Sequence, residues 1–294
     1  MRSAAGFLGI ILLSLVLPTS ALCGVRDLKE IRQEGVLRHL GVPYANFVNL
    51  GCQGLDCEVI RLFARQIGVS YKYVQADWST VINDLIGKRV VPDGNQAKIL
   101  GEAPFRGDII ANGLTILPWR EEILDYSIPT FPTQVWLVAR SDSPLKPVVP
   151  SGNEKRDIYA TIKLLAGKTL LGKKATCLDP ELYDFGNVSF TVKYFAGKLD
   201  EMAPAVINGR ADVALLDVPD ALVALAKWPG EIIILGPVSP RQKMGAGFRK
   251  TSPELRDAFN QFFKEIVQDG TYLRLVKRYY PDVIYYYPQF FQKP

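Results

Sequence analysis

Residues 107–127 read GDIIANGLTILPWREEILDYS, and the fold turns on how they are parsed. An apolar run (Ile109, Ile110, Ala111) stops at Asn112-Gly113, and a short second run carries the chain to Leu117. A brief apolar run closed by turn residues is the pattern of a buried strand. Arg120 comes three residues beyond Leu117, where the chain leaves that strand and a helix begins. The adjoining Glu121 and Glu122 then read as helix N-terminal charge.

The same alternation extends on both sides. EGVLRHLGV (residues 34–42) reads as a strand. In DCEVIRLFARQIGV the apolar residues Val59, Ile60, Leu62, Phe63 and Ile67 have the spacing of an amphipathic helix, with Gly68 as its stop. YKYVQA alternates like a strand, and STVINDLIGK follows as a helix capped by Ser79, with Gly87 near its end. VVPDGNQAKILGEAPFR (residues 90–106), punctuated by Pro and Gly, reads as a surface insertion. TQVWLVARSDSP is an extended run leaving the first lobe, and residues 144–157 form a Pro-rich polar segment. A second series follows: helix TIKLLAG, strand KTLLGKKA, loop TCLDPELYDFGN, strand SFTVKYF, helix EMAPAVING, strand ADVALLD and helix PDALVALAKW. EIIILGPVSP returns across the gap, and residues 253–281 supply closing helices. The order predicts an α/β fold of two lobes, with one chain crossing into the second lobe and coming back.

With 294 residues, 48% of them apolar, the chain can bury more than one core. Its net charge of +5 is spread among acidic residues without a basic block, which argues against nucleic acid as a partner. Arg2, the apolar FLGIILLSLVL (residues 7–17) and Pro18-Thr19-Ser20-Ala21 have the layout of a secretory signal peptide, placed at 1–21. Cys23 stands where a lipoprotein signal would put its cysteine, but Leu22 precedes it where a small residue is expected, so a lipid anchor is the lesser expectation. No later segment has the length and apolarity of a membrane span. Of the four cysteines, Cys52 and Cys57 could pair in an oxidising compartment. A zinc site is not favoured, because His39 is the only histidine and no second close cysteine pair exists.

Catalytic motifs are weak or missing. Gly167-Lys168-Thr169 lacks the first glycine of a phosphate loop, since Ile162 stands in its place. GAGFRK (residues 245–250) has no dinucleotide-binding unit around it, and no Gly-x-Ser-x-Gly elbow occurs. His39 lies inside an apolar strand, which speaks against Ser-His or Cys-His catalysis. Binding chemistry remains. A guanidinium at a strand exit matches a carboxylate in two prongs, and Thr115 can add a hydroxyl. Asp217 ends the strand ADVALLD, at the kind of strand end where α/β sheets collect ligands. Arg120 and Asp217 could grip the two charges of a zwitterion; a surface salt bridge or a helix cap is the plainer alternative for each.

These residues carry a resemblance. EGVLRHLGVPYANF resembles the opening strand and aromatic ligand loop of the family 3 periplasmic solute-binding proteins, which deliver amino acids to ABC transporters and have the two-lobed type II periplasmic-binding-protein fold hinged on two crossing strands. GLDCEVIRLFARQIGV, residues 107–131 and QDGTYLRLVKRYYPD resemble three further signatures of that family, in the family's order. The resemblance implies lobe 1 at 25–138 and 236–294, and lobe 2 at 139–235. It implies Arg120 as the carboxylate anchor with Gly113 and Thr115 beside it, and Asp217 as the ammonium acceptor. It implies Tyr44 and Phe47 as the aromatic wall, and Thr176 and Cys177 as donors from the second lobe. It further implies a periplasmic monomer without cofactor or enzymatic activity, whose partners are an amino-acid-like carboxylate and a transporter permease. Leu117 stands where the family has a second Thr, and the first ligand loop lacks the acidic residue associated with cationic side chains, so a neutral or apolar side chain is favoured. Two rival expectations are a module serving a sensor or redox partner and a dehydratase-like enzyme on the same scaffold.

Overall fold

Apolar residues on both faces lay the strand Val36–Gly41 into the core, with Leu37 and Leu40 fully buried. It pairs in parallel with Ser70–Gln75 on one side and Ile109–Ile110 on the other. The computed structural model describes residues 26–49 and 51–292. The signal-peptide expectation at 1–21 and Cys23 lie outside the described residues.

Two five-stranded sheets repeat one plan. In the first, Gly247–Arg249 runs antiparallel between Ile109–Ile110 and Leu124–Tyr126. In the second, Thr191–Tyr194, Thr169–Gly172 and Val213–Asp217 are parallel, and Val135–Arg140 runs antiparallel between Val213–Asp217 and Ile232–Pro237. Each sheet thus accepts one strand from chain that has crossed from the other side. The crossing segments, Phe131–Thr133 and Gln242–Met244, pair with each other in antiparallel fashion. This is the two-lobed α/β architecture with crossing strands that the sequence led us to expect.

Helices cover the first sheet for the reason their spacing gives. Leu55–Gln66 buries Leu55, Val59, Ile60 and Phe63, and Phe63 meets Phe259 and Phe262 of Pro253–Gln268 at ring distances of 5.2 and 5.4 Å. Gly68, at φ 77°, ends the turn after the first of these helices.

Several local expectations need correction. The insertion is an ordered hairpin, Lys88–Asp93 with Gln96–Glu102, in which Leu100 is the extra residue of a bulge between the Arg89↔Gly101 and Val90↔Ile99 pairs. Pro92 suits this edge strand, and Asn83 and Glu122 take up the outward N–H groups of Val90 and Ala97. The Pro-rich polar segment ends before 157 and the helix read at TIKLLAG starts earlier, because a helix runs Glu154–Lys163 from an Asn153 cap that accepts from the Arg156 N–H. Thr80, not Ser79, holds the N-cap position of Val81–Ile86, and its side chain makes no capping bond.

A buried ion network ties the first lobe together. Asp108, fully buried, accepts from Arg26 Nε at 2.6 Å and from the Arg38 N–H at 2.8 Å, while Arg249 lies 3.7 Å away. Arg249 also donates to the carbonyls of Gly107 and Arg26 at 2.7 and 2.6 Å. The segment at Arg26, the central strand and the returning strand therefore meet on one carboxylate. Removing one partner of such a network strands the other charges in a poorly solvating interior. Asp108→Ala is expected to cost about 3–5 kcal/mol of unfolding free energy, read from the shift in urea midpoint; a loss below about 1 kcal/mol, the range of exposed pairs, would contradict the assignment.

Candidate functional site

The site is built on strand ends of both sheets. Beyond Gly41 the chain makes a tight loop, Tyr44 to Val48, closed by the Tyr44 N–H to Val48 carbonyl bond of 3.0 Å. Three outside contacts fix the loop. The Asn46 N–H donates to the Tyr280 hydroxyl at 2.8 Å, Asn46 Nδ2 donates to the Tyr279 carbonyl at 2.8 Å, and the Leu55 N–H donates to the Asn46 carbonyl at 2.9 Å. Cys52 and Cys57 are bonded to each other just beyond it, with Cα atoms 5.6 Å apart.

Tyr44 and Phe47 stack at 5.8 Å with 16° between their planes. Gly113 lies against both rings. It has φ 65°, and a Cβ there would stand 2.5 Å from Phe47 and 3.0 Å from Tyr44. Its N–H donates to Asp56 Oδ2 at 2.7 Å. Phe47 also meets Phe131 and Tyr280 at 5.0 Å each, so much of its surface is spent on core packing.

Pro118 at the first helical position starts a single turn, Pro118–Glu121, which swings Arg120 inward. Arg120 is 1% exposed, where the sequence reading put a surface residue. Its Nη1 donates to the Thr115 carbonyl at 2.9 Å, its Nη2 reaches the Ala175 carbonyl at 3.4 Å, and its guanidinium lies 5.3 Å from the Trp119 ring. Nε has no hydrogen-bond partner, and among the described residues Arg120 forms no ion pair. The cation is thus buried beside two carbonyl oxygens, the Trp119 ring and the Tyr126 side chain, with no carboxylate partner among the described residues.

On the facing side, Asp217 caps the helix Val218–Lys227 by accepting from the Asp220 N–H at 3.3 Å. The same carboxylate accepts from the Tyr44 hydroxyl and from Cys177 Sγ, the latter at 3.5 Å. Burial raises the Asp217 carboxyl, and burial together with the Asp217 charge raises Asp220 and the Cys177 thiol well above their ordinary ranges. Cys177 is therefore a thiol at neutral pH and not an activated nucleophile.

Tyr44, Arg120, Cys177 and Asp217 thus converge, with Thr115 and Gly113 behind them. Thr176 stands apart in function, because its hydroxyl donates to the Lys173 carbonyl at 2.9 Å and accepts from the Leu178 N–H at 3.0 Å within its own turn. Sequence reasoning missed four contributors. Trp78 meets Tyr44 edge-on at 5.5 Å, and Tyr126 donates to the Thr115 carbonyl at 3.2 Å. Tyr183 donates to the Cys177 carbonyl at 2.5 Å, and Asp56 holds Gly113. Trp78 follows the end of Ser70–Gln75, so the strand-end rule that picked out Asp217 would have found it.

The profile of the bacterial extracellular solute-binding proteins, family 3, matches residues 101–282 of this chain. The chain is 24% identical over 258 residues to the histidine-binding periplasmic protein of Salmonella typhimurium, covering 82% of this chain and 86% of that protein. It is 25% identical over 263 residues to the membrane-bound lytic murein transglycosylase F of Desulfosudis oleivorans, covering 88% of this chain but only 52% of that protein. The chain thus spans about half the length of that transglycosylase. Among solved structures, the arginine-bound form of truncated ArgBP from T. maritima superposes with a TM-score of 0.62 at 26% identity, over 81% of this chain and 99% of that one.

Asp56 gives the site a pH signature. Burial raises its carboxyl from 3.8 to about 7, against the pull of the Gly113 N–H. The folded value lies above the unfolded one, so folding takes up a proton, and stability present near pH 4 is lost as pH rises through about 7. Asp217 and Asp220 act in the same direction. Melting temperature should therefore fall over that window, and Asp56→Asn, which stays neutral, should flatten the fall. An unaltered slope in the variant would show that Asp56 is not the titrating group.

Proposed function

This chain belongs to the bacterial extracellular solute-binding proteins, family 3, and from that premise we propose that it captures a small carboxylate-bearing solute, an α-amino acid, between its lobes and hands it to the membrane permease of an ABC transporter. One observation carries the reading: the Arg120 guanidinium is buried without a counter-ion among the described residues. A charge held out of water without an opposite charge is costly, and a ligand carboxylate would supply the missing partner in bidentate geometry. Asp217 faces it from the second sheet and would receive the ammonium in place of the Tyr44 hydroxyl. Tyr44 and Phe47 would wall the ligand side chain, and Cys177 would line the second lobe, with Thr176 shaping the turn that carries it.

Closure would pivot on the paired crossing strands, between a first lobe of 25–138 with 236–294 and a second of 139–235. The ligand favours the closed form only by its differential affinity for it. Two of the named relatives are a histidine-binding protein and an arginine-bound ArgBP. The lack of an acidic residue in the Tyr44 loop and the apolar Leu117 nevertheless favour a neutral or apolar side chain here. We place the protein in the periplasm as a monomer, exported by residues 1–21 and acting without cofactor or catalysis. Among the described residues no helix is long and apolar enough to cross a membrane. The match to about half of a transglycosylase, a module joined to another activity, favours one second reading, in which the cleft serves a sensor or redox partner and not a permease.

A thermal-shift screen of refolded protein against amino acids, dicarboxylates and aromatic acids tests this, because a ligand that binds only the folded state must raise its melting temperature. Arg120→Met sharpens the test. A buried charge replaced by an apolar side chain of similar length should leave ligand-free stability equal or higher, while affinity for the hit falls at least about 30-fold. Retained affinity in Arg120→Met, or a large loss of ligand-free stability, would make Arg120 structural and end the proposal.

A further inference from the structure

The two crossing strands are not the whole connection between the sheets. After the helix Thr271–Tyr279 the chain continues through two single turns, Val283–Tyr286 and Pro288–Phe291. Their contacts run from the first sheet to the second and back to the hinge.

The segment starts at the Tyr44 loop. The Tyr280 ring lies 5.0 Å from both Phe47 and Phe131, and its hydroxyl accepts from the Asn46 N–H at 2.8 Å. Its middle rests on the second lobe. Val283 is fully buried, and its turn packs on Val218–Lys227, the helix that Asp217 caps. Tyr286 meets Trp136, on the strand Val135–Arg140, at a ring distance of 5.4 Å. The Arg241 guanidinium lies over the Tyr287 ring at 5.4 Å, and the Arg241 N–H donates to Glu154 at the start of Glu154–Lys163. The end of the segment returns to the crossing strand Phe131–Thr133, where Phe291 meets Phe131 at 6.0 Å.

One short stretch thus touches the loop that carries Tyr44 and the helix that begins at Asp217. The spacing between those two residues depends on it as well as on the crossing strands. A hinge bends where few packed contacts resist it, and a third segment bridging the lobes adds contacts that parting must break. Those contacts are few. A groove of about 570 Å³ lies between the tyrosines of the segment and Pro132 and Lys243 of the crossing strands, so the segment is held at separate points and not by continuous packing. Tyr286 is 45% exposed, and it can be cut back without opening the core.

We propose that Tyr280–Phe291 is a latch across the hinge, with Tyr286 as a positioning residue that holds Tyr44 and Asp217 at the spacing one ligand needs. The use of that spacing rests on the proposed amino-acid function; the latch itself does not. Release of an enclosed ligand requires the lobes to part, so a weaker latch must speed release. Only contacts that differ between closed and parted lobes can act this way, and the Tyr286–Trp136 pair joins one lobe's tail to the other's strand. Loss of one aromatic pair shifts such an equilibrium by about 3- to 10-fold.

The test uses the whole mature chain and Tyr286→Ala, with Tyr286→Phe as the conservative variant. Small-angle X-ray scattering without ligand reads the lobes directly. Tyr286→Ala should have a larger radius of gyration than the wild type, and Tyr286→Phe should match it, since phenylalanine keeps a ring on Trp136. With the amino acid found in the thermal-shift screen, stopped-flow release should be about 3- to 10-fold faster from Tyr286→Ala and unchanged from Tyr286→Phe. A scattering curve of Tyr286→Ala that superposes on the wild type overturns the latch, whatever the ligand proves to be. A lowered melting temperature without a change in scattering does the same, because it makes Tyr286 merely structural. An unchanged release rate overturns its positioning role. The expected scattering difference together with a screen that yields no hit supports the latch and ends the amino-acid function.

Discussion

The guanidinium of Arg120 sits where water cannot reach it and where carbonyl oxygens, the Tyr126 side chain and the Trp119 ring answer it, with no carboxylate among the described residues. A carbonyl dipole stabilises a cation far less than a carboxylate does, so the folded chain carries a charge it has only half compensated. The surrounding contacts keep that charge in place. The Pro118–Glu121 turn fixes its backbone, the Thr115 carbonyl takes one prong, and Trp119 covers one face. A side chain held this firmly has already lost the rotamer freedom that binding would otherwise cost.

The contrast with Asp108 gives the arrangement its meaning. Asp108 and Arg120 flank the same apolar run, and both are buried. At one end Asp108 is answered by Arg26, Arg249 and the Arg38 N–H, and the charges balance within the fold. At the other end Arg120 is left open toward the second sheet. On the proposed reading, a ligand carboxylate would complete at Arg120 what Asp108 completes at the core.

Much of this was legible in the sequence, because it rests on local rules. The strand–helix order, the crossing of the chain and the strand-end positions of Arg120 and Asp217 follow from apolar period and turn residues. The rest depends on tertiary contacts that a pattern does not encode. Pro92 and Gly94 marked a surface insertion but not its hairpin, since nothing local says that Asn83 and Glu122 will take up its outward N–H groups. Arg120 read as exposed because a four-residue turn has no periodicity from which to infer which way it faces. Thr176 read as a ligand donor by type, yet its hydroxyl is consumed by the backbone of its own turn. Trp78 was legible by the strand-end rule and was passed over.

Tyr44 bears most directly on selectivity. Its hydroxyl donates to the carboxylate that would receive an ammonium, so on the proposed reading a ligand exchanges one hydrogen bond for another and does not fill a vacancy. A neutral donor offers Asp217 little more than Tyr44 already gives, whereas an ammonium offers a charge-assisted bond of roughly twice the strength. The exchange therefore discriminates against carboxylic acids that lack an amino group, although Arg120 alone would accept them. Tyr44 can act this way only if it stays at its post, and Gly113, Phe47 and the Tyr280 hydroxyl hold its loop there. On the proposed reading, specificity for a zwitterion would thus arise from a rigid competitor in the cleft as much as from the groups that touch the ligand.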